Sequence, residues 1–103
     1  MHNKLSVIII TLNEERNIER AINSVQNVAD EIIVLDSFST DKTKEICSRL
    51  GVVFVERKWE GYSQSKNYAN SLANFEYILS LDADEALSEE LEKSIFKNQR
   101  VVQ

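Results

Sequence analysis

The chain has 103 residues, 43% of them hydrophobic and 28% charged, with a net charge of −5. That length suits one sheet with its covering helices, leaves no room for a second core, and the composition is that of a globular rather than a disordered chain. Lys and Arg are scattered singly apart from Arg57-Lys58, so the basic stripe that nucleic acid requires is missing. An anionic ligand would then need a metal cation to offset its charge.

The first apolar run, Leu5 to Thr11, is rich in β-branched residues and continuously apolar, as a strand buried on both faces should be. It resembles the apolar core of a signal peptide, but it lacks a small-residue cleavage site. It is also far too short to span a bilayer. A helical pattern follows, with Ile18, Ala21, Ile22 and Val25 on one stripe. Asn13 is the expected cap of this helix, with Glu14 and Glu15 in a first turn that favours negative charge.

Glu31 to Asp36 forms the second expected strand. The next helix should open at Ser39-Thr40-Asp41, bury Ile46, Cys47 and Leu50, and stop at Gly51. Cys47 is the single cysteine, which fits a reducing compartment, and its apolar helix face makes it a core residue. Val52 to Val55 is the third strand, and Ser63 to Leu72 a helix with a thin apolar face of Ala69, Leu72 and Ala73. Trp59, Tyr62 and Tyr68 could stack on bases, but without a basic groove they are expected to serve packing. Tyr77 to Asp82 is the fourth strand, and a last helix starts at Ser88 and buries Leu91, Ile95 and Phe96.

Strand–helix alternation of this kind predicts right-handed βαβ units and a Rossmann-like parallel sheet in the order 3-2-1-4, with helices on both faces. Ligands of such sheets bind beyond the carboxyl ends of the strands. The residues there are Asn13 and Glu14 after the first strand, Asp36 after the second, and Asp82-Ala83-Asp84 after the fourth. Three strand ends are thus expected to bring acidic groups to one rim, although like charges repel and desolvate poorly.

In extended chain Asp82 and Asp84 would point to the same side, and two hard oxygen donors suit Mg²⁺ or Mn²⁺. The alternative is a solvated acidic loop that caps the next helix. Asp36 reads either as a turn former or as an acceptor for a base or ribose. Glu14 and Asp41 are better explained as first-turn residues of helices, and Lys66 as a solvated helical lysine. No glycine-rich phosphate loop is present, and a lone histidine, His2, excludes the usual nucleophilic triad.

Four blocks carry a resemblance: Leu5 through Glu15, Asp36 through Thr43, Lys66-Asn67, and Leu81-Asp82-Ala83-Asp84-Glu85. Their order and spacing resemble family 2 glycosyltransferases, most of all bacterial glucosyltransferases of the lipopolysaccharide core. The resemblance implies the N-terminal half of a GT-A fold over residues 1–103, a nucleotide-sugar donor such as a UDP-sugar, and inverting transfer to a glycan or lipid-linked acceptor. It implies nucleotide contacts from Thr11, Asn13, Glu14, Asp36, Lys66 and Asp82, with Asp36 on the uracil, and Mg²⁺ or Mn²⁺ held by Asp82 and Asp84. A cytoplasmic location follows, with peripheral attachment at the inner membrane left open.

Two features depart from that pattern. Phe38 stands where the family commonly has glycine, and the family's catalytic base and acceptor site lie well beyond the metal motif, so the chain is expected to lack that half. A non-catalytic nucleotide-binding or interaction module and a receiver-like α/β domain with an acidic Mg²⁺ pocket are the rival readings. The expected strand order leaves Tyr77 to Asp82 at an edge, where pairing with a second copy would give a homo-oligomer.

Overall fold

Seven residues with a high density of Val and Ile make β1 (Leu5–Thr11) the strand best able to be buried on both faces, and it runs through the middle of the sheet. The structure is a computed structural model and describes residues 4–83. Asp84, the helix expected from Ser88 and His2 lie outside the described residues. β2 (Glu31–Asp36), β3 (Val53–Glu56) and β4 (Tyr77–Asp82) join β1 in one parallel sheet in the order β3-β2-β1-β4. The register sets Thr11 beside Asp36 on one flank of β1 and Ile10 beside Asp82 on the other. β3 lies one residue further along than expected. Both β3 and β4 are only half-covered, because each has a single neighbour within the described sheet.

Alternation along the strands divides the core in two. Leu5, Val7 and Ile9 of β1 and Val34 of β2 pack with α1 (Ile18–Val25) and with Cys47 of α2 (Thr43–Leu50). Ile8 of β1 and Ile33 and Leu35 of β2 pack with Ala69, Tyr68 and Leu72 of α3 (Tyr62–Leu72) on the other face. Helices therefore cover both faces, and every loop that follows a strand opens at the same end of the sheet.

The first helix starts later than the sequence indicates. Asn13 does not cap it but sits at φ 53, a left-handed conformation that asparagine tolerates. Glu14 and Glu15 precede the helix in a turn, where the Glu14 carbonyl accepts the N–H groups of Asn17 and Ile18 at 2.9 and 2.8 Å. The second helix also opens late, at Thr43, and ends as expected on Gly51. Gly51 has φ 74, and its N–H donates to the carbonyls of Cys47 and Ser48.

At the far end of the sheet, polar ties fix where β1 and β2 begin. Asp30 Oδ2 accepts the Leu5 N–H at 2.7 Å, and Glu31 accepts from the buried Ser6 hydroxyl and from the Asn74 N–H at 2.6 Å. Burial pushes the Glu31 carboxyl up, but the hydrogen bonds from Ser6 and Asn74 together outweigh it and hold Glu31 below its ordinary value.

Two outcomes follow. Gly51→Ala meets open space, so only backbone strain opposes it. The substitution should lower unfolding free energy by about 1 kcal/mol in a urea titration. Because the Glu31 pKa is lower in the folded than in the unfolded chain, its stabilisation is present above the ordinary glutamate value of about 4.3 and is lost as pH falls through the folded value. Glu31→Gln should therefore flatten the acid limb of stability against pH, read by urea titrations at a series of pH values.

Candidate functional site

The rim beyond the strand ends is built from two loops stitched together. Asp36 closes β2 and is fully buried. Its Oδ1 accepts the Thr11 hydroxyl at 2.6 Å and the Ser39 hydroxyl at 2.6 Å, and its Oδ2 accepts the Ser39 N–H at 2.7 Å. The same Ser39 oxygen accepts the Asn13 N–H at 2.7 Å. Thr43 repeats the device: its hydroxyl donates to Asp41 Oδ1 at 2.6 Å and accepts the Glu14 N–H at 2.9 Å. Asn13 answers from the other loop, its Oδ1 accepting the N–H groups of Thr40 at 2.8 Å and Asp41 at 3.3 Å. That explains why Asn13 is not a helix cap. Its carbonyl oxygen serves donors of the neighbouring loop.

Slight burial pushes the Asp41 carboxyl up, but hydrogen bonds from Thr43 and from the Glu15 N–H more than offset it and hold Asp41 below its ordinary value. Cys47 lies under this rim. Burial and then the nearby negative charge of Asp36 push its thiol up to about 11, so it is a core residue and a poor nucleophile.

Asp36 and Asp82 do not converge as the sequence suggests, although Glu14 and Asp82 border one cleft. Asp36 shares the register pair and the face of Thr11, the face covered by α1 and α2, whereas Asp82 shares the face of Ile10 and α3. Ala83 is buried in the α1–α2 core, and Asp82 is exposed. Two strand spacings, about 10 Å, also separate β2 from β4. Asp84, the other half of the Asp-x-Asp pair, lies outside the described residues. Among the described residues no group of three or more His, Cys, Asp or Glu is placed to hold a metal. One exposed carboxylate at an open strand end fits a cation that takes one or two carboxylates together with phosphate oxygens, not an all-protein cage.

Beside Asp82 opens a cleft of about 370 Å³. Ile10, Thr11, Leu12 and Glu14 border it from β1 and its loop, Ser37 from the loop after β2, Trp59 from the loop after β3 and Tyr62 from the start of α3. The expectation that Trp59 and Tyr62 serve packing is overturned: they are 49% and 52% exposed and form a wall of the cleft. Tyr68 does pack, half-buried against the α3-side core. The signal for the other two was their position, flanking Gly61 in the loop after a strand's carboxyl end.

Gly61 at φ 99 supplies the turn between them. Lys66, one helical turn after Tyr62, does not line the cleft, but its Nζ lies 5.8 Å from the centre of the Tyr62 ring. Phe38 holds φ 58, the left-handed region that favours glycine, at a cost of about 1 kcal/mol, with its ring 56% exposed. The backbone there is the kind a glycine would take.

A parallel sheet covered by helices on both faces, with an exposed aspartate and a mostly apolar cleft at its strand ends, defines a doubly wound α/β protein, whose ligands bind beyond the carboxyl ends of the strands. The sequence model of "Glycosyl transferase family 2" matches residues 6–98. The chain belongs to that family. It is 52% identical over 92 residues to a glycosyltransferase of Rickettsia bellii, covering 89% of this chain and 31% of that protein. It is 39% identical to the glycosyltransferase SunS of Bacillus subtilis, covering 92% of this chain and 23% of that one.

Glucosyl-3-phosphoglycerate synthase of Mycobacterium tuberculosis, solved with UDP, superposes at a TM-score of 0.72 and 27% identity over 81% of this chain and 34% of that one. TarS of S. aureus superposes at 0.71 and 30% identity over 91% of this chain and 31% of that one. The fold is that of GT-A glycosyltransferases, and the chain spans about a third or less of the length of these relatives.

The two bridging hydroxyls generate a direct test. Ser39→Ala removes a charge-assisted bond from a buried carboxylate, and Thr43→Val removes the second bridge with little change of shape. Each should cost about 1–3 kcal/mol in chemical denaturation. Since both tie the same pair of loops, the double variant should lose measurably less than the sum of the two.

Proposed function

We propose that the chain binds a UDP-sugar together with Mg²⁺ or Mn²⁺, as the donor-binding part of an inverting glycosyltransferase. The observation that supports this most is the cleft itself, with polar Thr11 and Ser37, aromatic Trp59 and Tyr62, and exposed Asp82 at one strand-end rim. Relatives of the same fold offer a chemical parallel: the mycobacterial synthase was crystallised with Mn²⁺, UDP and its glucosylated product.

Thr11, Glu14 and Asp82 line the cleft and are the direct contacts in this reading. Asp36 is fully buried, and in this reading it serves the nucleotide by holding Thr11 and Ser39 in place through its hydrogen bonds. Asn13 keeps Glu14 at the cleft by tying the two loops, and Lys66 adds positive charge beside Tyr62. Asp82 and Asp84 would hold the cation, which when bound offsets the negative charge of the diphosphate leaving group.

No helix among the described residues is long and apolar enough to cross a membrane. A cytoplasmic enzyme acting on a glycan or lipid-linked acceptor, and attached peripherally when that acceptor is in the inner membrane, agrees with this reading.

Calorimetric titration with UDP-glucose, in Mn²⁺ and in EDTA, tests the proposal. Binding should be stronger with Mn²⁺. Asp82→Asn and Asp84→Asn should each weaken it roughly tenfold or more in Mn²⁺ and little in EDTA, as loss of a charge-assisted contact implies. Asp36→Asn should weaken binding in both conditions. Affinities equal to the parent for all three variants would sink the assignment.

A further inference from the structure

Trp59 and Tyr62 are unusually placed for a small domain. Of the large hydrophobic residues exposed among the described residues, Leu12, Trp59 and Tyr62 meet at one cleft, while Phe38 and Val53 stand outside it. Single exposed apolar side chains are ordinary, but three facing one concave site mark a surface that a ligand covers.

The loop that carries the aromatics is held before any ligand arrives. Arg57 follows β3 directly, and its Nε and one terminal nitrogen donate to Glu60 Oε1 at 3.0 and 2.8 Å. The central carbon of its guanidinium lies 3.7 Å from the centre of the Tyr68 ring on α3. The Arg57 N–H also donates to the Asp36 carbonyl at 2.9 Å, which fastens the loop to the end of β2. Trp59 sits between the two partners of the ion pair, and Gly61 turns the chain so that Tyr62 begins α3 facing the same space.

We infer that Trp59 and Tyr62 form a pre-set aromatic wall on which the planar base of a nucleoside diphosphate stacks. The inference rests on the donor-binding reading above and adds to it which part of the donor is gripped, and by what. The base is favoured over the sugar by the layout of the sheet. The loop leaves β3 at one edge, and Asp82 ends β4 at the other. A base held against the β3-side loop directs its diphosphate towards the Asp82 side. Arg57 acts through Trp59 and is a positioning residue.

Stacking needs only a π-face, and its loss on substitution by alanine weakens binding of a base about 5- to 100-fold. Trp59 is the one tryptophan in the chain, so its fluorescence reports this site alone.

The test titrates the full chain with UDP and with pyrophosphate, each with Mn²⁺, by calorimetry and by tryptophan fluorescence. UDP should change Trp59 emission along the calorimetric isotherm. Trp59→Ala should weaken UDP about 5- to 100-fold, Trp59→Phe should restore most of that loss, and pyrophosphate binding should stay as in the parent. Arg57→Ala should weaken UDP in the same direction but by less, with Trp59 emission shifted in the unliganded chain. UDP binding that is unchanged in Trp59→Ala, or a loss that pyrophosphate shares equally, overturns the aromatic wall and leaves the donor reading standing. A parent chain that binds neither UDP nor UDP-glucose overturns both.

Discussion

Two hydroxyl groups hold the functional rim together. A serine or threonine oxygen can donate one hydrogen bond and accept others at the same atom, so it can join an acceptor to a donor where no other small side chain does so as compactly. Ser39 joins the buried Asp36 carboxylate to the Asn13 N–H, and Thr43 joins Asp41 to the Glu14 N–H. Burial of Asp36 is what makes the arrangement necessary. A carboxylate removed from water must be surrounded by donors, and Thr11, the Ser39 hydroxyl and the Ser39 N–H supply them. The loop after β1 is consequently locked over the end of β2. The first helix waits until Ile18, and Thr11 and Glu14 are presented to the cleft.

The parity of the strands then separates two kinds of carboxylate. Asp36 falls on the face of α1 and α2, is closed off from water, and raises the pKa of Cys47 beneath it. Asp82, one register step away across β1, falls on the face of α3 and stays exposed. Asp36 organises backbone from within, and Asp82 stands exposed at the border of the cleft. That division suits the proposed binding of a diphosphate together with a cation by a chain with net negative charge.

The cleft also shows how an aromatic wall forms at the rim without using the core. Among the described residues both packed faces are built mainly of aliphatic residues from the strands and a few from each helix, with Phe54, Tyr77 and Tyr68 half-buried against them. Trp59 and Tyr62 are left outside, on a loop held by Arg57, Glu60 and Tyr68. A loop tied by its own ion pair and by a guanidinium set against the Tyr68 ring needs less ordering when a ligand arrives, which is the general advantage of preorganisation.

The sequence by itself determined the parallel sheet, its order and the family. The reason is that hydrophobic period, the stop at Gly51 and right-handed crossovers are local or chiral rules that tolerate few alternatives. It also placed Thr11, Asp36 and Asp82 at strand ends, because the runs of Val, Ile and Leu that precede them leave little freedom in register. Only the tertiary structure decided what those ends do. Whether Asn13 caps its own helix or serves a neighbouring loop depends on which donors lie closer in space, and sequence distance does not tell. Whether Asp36 and Asp82 face each other depends on a parity that one residue of register reverses. Whether Trp59 and Tyr62 fill a core or line a cleft depends on the path of a loop set by Gly61 and Arg57, and composition carries no trace of that path.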